Sequence, residues 1–150
     1  AIVAGELPPR GSVLAPDIAL CHACPRIDSK PEEPQVQQYK RPHEMQIDPD
    51  KCFLTQGLIC LGPATRSGCG HACIEGNMPC TGCMGPVSHV RDQGAAALSA
   101  IASLVETDIP QEVEEVINGI PDPAGTLNRY SVPASMLYSR VRTADGNGGA

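Results

Sequence analysis

The sequence predicts a mostly irregular domain with short α-helices, and three observations point there. Leu, Ile, Val and Phe make up only 31 of the 150 residues, close to the roughly 20% below which disorder becomes the default. Fifteen Gly and fifteen Pro break helices and strands more often than they extend them. Eight cysteines offer, as disulfides or as ligands, the cross-links that so thin a core lacks. With one Phe and no Trp, apolar burial alone falls short of offsetting the entropy of ordering the chain.

The elements follow in order. Residues 1–19 start with Ala, not Met, and run from a short apolar stretch into a Pro-Pro and Gly loop; they read as the tail of an upstream part or a linker. Cys21 to Pro25 (CHACP) predicts a tight turn, with Pro25 fixing the backbone after the second thiol. The polar span 27–48, interrupted by Pro31, Pro34 and Pro42, reads as an extended surface loop. Asp48-Pro49-Asp50 has the form of a helix start, Asp48 as cap and Pro49 in the first turn, and predicts a short helix carrying Cys52 and ending at Gly57. The Gly- and Pro-rich span 62–86 has no periodicity and predicts coil. Residues 90–106 place Val90, Ala97, Leu98, Ile101, Leu104 and Val105 at helical spacing. A second helix is expected over 110–118, with Pro110 at its start, Glu112 in its first turn and Gly119 beyond its end. A last short helix is expected within 128–141, entered at Pro133, and 144–150 reads as a disordered tail. The body of the domain is thus expected over residues 20–143.

Composition also excludes classes of function. A net charge of −6 and the lack of a Lys/Arg stripe with interleaved aromatics argue against a nucleic-acid partner. No apolar run approaches the roughly 18 residues that suggest a membrane span. No Ser sits in a Gly-x-Ser-x-Gly elbow and no phosphate loop occurs, so no catalytic residue is expected on this chain.

The cysteines fall as Cys21-x2-Cys24, then Cys52 and Cys60, then Cys69, Cys73, Cys80 and Cys83. Eight thiols divide into two sets of four, and a 4Fe-4S cube takes one thiolate per iron. Cys69, Cys73, Cys80 and Cys83 lie within fifteen residues, so one loop can wrap one cube, leaving Cys21, Cys24, Cys52 and Cys60 for the second. An exchange of ligands between the sets stays open, since in two-cluster ferredoxins a cysteine of one run can serve the other cluster. Tetrahedral zinc competes, but the x7 and x6 steps depart from the x2 to x4 spacing usual within a zinc pair. A disulfide framework and inert buried thiols are the other readings. Iron–sulfur chemistry is favoured over all three.

Other side chains are weighed beside the thiols. His22 and His71 neighbour ligands and read as hydrogen-bonding or solvent-facing groups, while His43 and His89 have no partner visible in sequence. Arg26, Arg66 and the backbone N–H groups near Gly68, Gly70, Gly82 and Gly85 are candidates for tuning a cluster's potential. Surface solubility accounts for the two Arg equally well. Met78 and Met84 read as gap-fillers.

The string CFLTQGLICLGPATRSGCGHACIEGNMPCTGCMGP, with CHACPR upstream and DPAGTLNRYSVPASML downstream, resembles the C-terminal cluster-binding region of the small subunit of cytosolic nickel-iron hydrogenases. The likeness covers most of residues 20–137. It implies a small iron–sulfur-cluster-organised domain, ferredoxin-like in function but not a ferredoxin fold. It further implies an electron relay through two 4Fe-4S clusters, a distal one on Cys21, Cys24, Cys52 and Cys60 and a medial one on Cys69, Cys73, Cys80 and Cys83. Periplasmic relatives carry a His where Cys21 stands and a Pro for one medial thiolate. The implied partners are a large subunit with the nickel-iron site, where hydrogen is cleaved, and a flavin- or iron–sulfur-containing acceptor subunit. A cytoplasmic location is implied as well. The family's flavodoxin-like N-terminal domain, which binds a proximal cluster, is absent from these 150 residues, so it is expected upstream or on another chain. An iron–sulfur subunit of a related non-hydrogenase redox complex and a zinc-stapled interaction module are the alternatives.

Overall fold

A computed structural model describes residues 2–138 apart from 31, 34 and 108; the expected tail at 144–150 lies outside the described residues. Among these residues there are four α-helices, α1 (Ala72–Glu75), α2 (Gln93–Ala102), α3 (Pro110–Asn118) and α4 (Pro123–Leu127), joined by loops and short 3-10 turns. No strand forms among them; extended segments meet only as isolated bridges, such as Ala19 with Arg66 and Val36 with Val105.

Two apolar cores result. The first surrounds α2, whose Ala97 and Ile101 bury against Leu61, Ala64, Ile120 and Leu127, with Val113, Val116 and Ile117 of α3 packed on its edge. Asp92 starts α2 by accepting the Ala95 N–H at 2.9 Å, so the helix begins after Val90. Gly94 lies directly against the Asn128 side chain, a spot where a Cβ would collide, and this brings α2 onto α4. α3 has the expected bounds, with Pro110, Glu112 and Gly119 in the expected places. We call this half the helical lobe.

The second core holds Leu20, Phe53, Leu54, Leu58 and Ile74 together with Cys60 and Cys80, and Cys24, Cys52, Met45 and Ile47 pack on it. This is the cysteine lobe. Leu104, in the turn that follows α2, packs against both cores.

Several expectations differ from the structure: the span 62–86 is not all coil, since α1 forms within it, and α2 stops at Ala102, short of Leu104 and Val105. Residues 48–57 form turns, not a helix. The Asp48 carboxylate accepts the Asp50 N–H, and the Gln56 amide donates to the carbonyls of Asp48, Lys51 and Cys52, taking acceptors a helix would fill from its backbone. Gly57 ends these turns at φ +74°, and a Cβ there would also stand 2.8 Å from the Gln38 carbonyl. The span 27–48 is not wholly a surface loop: Val36 and Tyr39 are buried, and the Tyr39 hydroxyl donates at 2.8 Å to the Ile101 carbonyl at the end of α2. The last helix forms earlier than expected, as α4, because Asp122 accepts the Gly125 N–H and Pro123 sits in the first turn. Pro133 instead enters a 3-10 turn, Val132–Ala134.

Candidate metal centre

The first set of thiols comes from three separate segments. Cys21 lies in the 3-10 turn Leu20–Ala23, and the Cys24 N–H closes that turn on the Cys21 carbonyl. Cys52 is held by its N–H donating to Ser29 Oγ at 2.7 Å, while Ser29 Oγ donates to the Arg26 carbonyl. Cys60 follows Leu58, which is fully buried. Cys21, Cys24, Cys52 and Cys60 line one cavity, walled by Leu20, Phe53, Leu54 and Ile74 and closed by Gly62.

The second set comes from one loop. Cys69 precedes α1, Cys73 lies within it, and Cys80 and Cys83 follow on the return. All four line a second cavity together with Leu20, Thr65, His71, Ile74 and Met84. Leu20 and Ile74 therefore separate the two cavities, each touching both. Cys80 is the backbone link: its N–H donates to Cys60 Sγ at 3.4 Å while its side chain faces the second cavity. Gln93, at the start of α2, docks this loop onto the helical lobe by donating to Thr65 Oγ1 and to the Gly82 carbonyl.

Environment differs within and between the sets. Cys60 and Cys80 are buried, whereas Cys69, Cys73 and Cys83 are exposed. Burial pushes the Cys21 and Cys60 thiols up to about 12, although N–H groups of Gly62 and Cys80 favour the Cys60 thiolate. Burial raises Cys80 as well. Since the thiolate is the ligating form, a bound metal must displace these protons.

Two features fit a bulky group held by sulfur. A Cβ on Gly62 would stand 3.2 Å from Cys21 Sγ and 3.6 Å from Cys60 Sγ, so glycine leaves the first cavity open. The Nε2 atom of His71 is buried on the wall of the second cavity without a hydrogen-bond partner. The eight cysteines form no disulfide.

Two buried arginines, which sequence left between tuning and solubility, are structural. Arg26 donates to the carbonyls of Asp48, Lys51 and Ile74 and to Asn77 Oδ1, and lies 4.2 Å over the Phe53 ring. It thereby ties the loop bearing Cys52 to the loop between Cys73 and Cys80. Arg66 donates to the Pro86 and Pro16 carbonyls and pairs with Asp17 at 2.7 Å, fastening residues 16–18 to the cysteine lobe. Their partners stand up to 51 residues away, so no local signal reveals them. Of the other histidines, His22 is exposed beside Cys21, and neither His43 nor His89 lines a cavity of thiols.

No family model matches the chain. It is 36% identical over 144 residues to the iron-sulfur subunit of the F420-non-reducing hydrogenase of Archaeoglobus profundus, a match covering 94% of this chain and 44% of that one. It is 41% identical over 130 residues to the corresponding F420-non-reducing hydrogenase subunit of Methanothermobacter thermautotrophicus, covering 85% and 42%. With the subunit of the same name from Methanothermus fervidus it shares 42% identity over 117 residues, covering 76% of this chain and 92% of that one. The chain thus spans under half the length of the first two relatives.

Proposed function

The chain belongs to the family of these F420-non-reducing hydrogenase subunits, and on that premise we propose that it is the electron-relay subunit of a nickel-iron hydrogenase complex. In this reading Cys21, Cys24, Cys52 and Cys60 hold one 4Fe-4S cluster, and Cys69, Cys73, Cys80 and Cys83 hold a second. The grouping of the eight thiols around two adjoining cavities carries the reading. When bound, such clusters supply one-electron redox chemistry at potentials between roughly −700 and +450 mV.

The chain's own residues bind, shield and connect. Leu20, Phe53, Leu54 and Ile74 keep water from the first cavity, which sharpens every electrostatic effect on a bound group. The contact from the Cys80 N–H to Cys60 Sγ spans the partition and bridges the two ligand sets directly. Exposure of Cys69, Cys73 and Cys83 supports a further protein surface covering the second cavity. That surface belongs to a proximal-cluster domain upstream or on another chain, as expected of a medial position. The nickel-iron site lies on a large subunit, and a flavin- or iron–sulfur-containing subunit accepts the electrons, so this chain serves an oxidoreductase without catalytic residues of its own. The small, cluster-organised fold and a cytoplasmic location belong to the same proposal. Among the described residues no helix is long and apolar enough to cross a membrane.

Cys80→Ala tests the relay. It is expected to remove one cluster signal from the electron paramagnetic resonance spectrum and to stop hydrogen-dependent reduction of the acceptor, while nickel in the copurifying partner stays near its normal level. Acceptor reduction that survives the loss of that signal contradicts the relay role.

A further inference from the structure

We infer that His71 donates a hydrogen bond from Nε2 to a sulfur of the group held by Cys69, Cys73, Cys80 and Cys83, and so raises that group's reduction potential. The inference rests on the iron–sulfur reading above. Its source is an unsatisfied atom: among the described residues, His71 Nε2 is the one buried side-chain nitrogen or oxygen with no hydrogen-bond partner. Buried polar groups are rarely left unpaired, because desolvation without a partner is costly.

Sulfur is the most abundant acceptor in the setting. The ring shares its cavity with four thiols, with the hydroxyls of Thr65 and Thr81, and with the apolar Leu20, Ala72, Ile74 and Met84. The Thr65 hydroxyl on the same wall already donates to the Leu61 carbonyl and accepts from Gln93. A thiolate or sulfide accepts and does not donate, so the complementary group is an N–H, which an imidazole nitrogen supplies. The backbone holds the ring in place: His71 sits at φ +59°, a region non-glycine residues seldom adopt, and its carbonyl accepts the Glu75 N–H at 2.9 Å to open α1.

The first cavity has no imidazole of this kind, and its sulfur Cys60 Sγ is reached by backbone N–H groups instead. No histidine lines it, and its one charged side chain, Arg26, directs its two terminal nitrogens at three carbonyls and Asn77. A hydrogen bond to sulfur stabilises the more negative, reduced form, and through it one cavity is tuned without the other. His71 is thus a positioning residue for electrons, not a ligand.

The test is a redox titration of the cluster-loaded protein, isolated with its copurifying subunits and followed by electron paramagnetic resonance, with iron and labile sulfide counted in each sample. In His71→Leu, the reduced-to-oxidised ratio of one signal at fixed potential is expected to fall about tenfold, equivalent to 59 mV for one electron. The other signal keeps its midpoint, and His71→Gln, which retains an amide N–H, recovers most of the shift. An unchanged midpoint at full iron content overturns the inference. If His71→Leu fails to load the second cluster, unsubstituted protein carrying 15N-histidine decides. Weak nitrogen coupling to one cluster's spin is expected, whereas absent coupling, or the strong coupling of a nitrogen bonded to iron, overturns the inference. Protein that never holds iron and sulfide overturns the functional reading itself, an outcome distinct because no signal remains to shift.

Discussion

In the helical lobe, Ala97 and Ile101 of α2 close against Ile120 and Leu127 with no thiol among them, whereas in the cysteine lobe Phe53, Leu54 and Leu58 share their core with Cys60 and Cys80. The first half is secured by local capping and apolar burial, as at Asp92 and Ile101. The second relies on long-range bonds from single side chains, Arg26 and Arg66 above all, drawn around two cavities of thiols. The contrast teaches where the thin composition is felt. The core around α2 is built from apolar side chains alone, whereas that of the cysteine lobe includes two of the thiols.

Stripping iron and sulfide breaks this comparison most sharply. Hydrogen exchange is expected to lose all protection in the cysteine lobe, including the Leu20 and Arg66 amides that now donate to Thr65 and Gly85, while the α2 amides keep a measurable part of theirs. Equal loss in both lobes would mean that the two are not separable. Next in size is Ile101→Ala, which removes a side chain 1% exposed at the centre of the helical lobe. It is expected to cost about 2–5 kcal/mol in denaturant unfolding, with iron per chain unchanged. Arg26→Met acts on the other lobe: hydrogen bonds to a charged group are worth about 1.5–3 kcal/mol and do not add fully, so a loss of roughly 3 kcal/mol is expected, with exchange quickening around residues 48–51 and 74–77. The smallest effect is at the α2 cap, where Asp92→Ala is expected to cost about 1 kcal/mol.

Asp92 also carries a pH signature. Hydrogen bonds from the Met136 and Ala95 N–H groups hold its carboxyl below the ordinary carboxylate range. Its contribution is therefore complete above that range and disappears as pH falls through it toward the lowered value. Thermal melts of Asp92→Ala and the unsubstituted protein should converge on acidification.

Legibility in the sequence followed the range of each interaction. α3 could be read because Pro110, Glu112 and Gly119 lie within ten residues, and the grouping of the thiols rests on spacing along the chain. The turns at 48–57 could not, because what defeats the helix there is the Gln56 side chain reaching three carbonyls. Val36 and Tyr39 were hidden by polar neighbours, their burial depending on α2 some sixty residues later. α4 was locally signalled by Asp122-Pro123, upstream of the helix expected within 128–141. Arg26 stood out beside a thiol pair, but its role in tying loops together was illegible, since the carbonyls it meets lie more than twenty residues away.

The central claim is that each set of four thiols holds one four-iron cluster. Iron, labile sulfide and zinc counted per chain in protein purified without oxygen test it most directly. The account predicts about eight iron and eight sulfide, four of each per cube, falling by about half when the ligands of one set are replaced by Ala. Zinc in place of iron, with no labile sulfide, would contradict it.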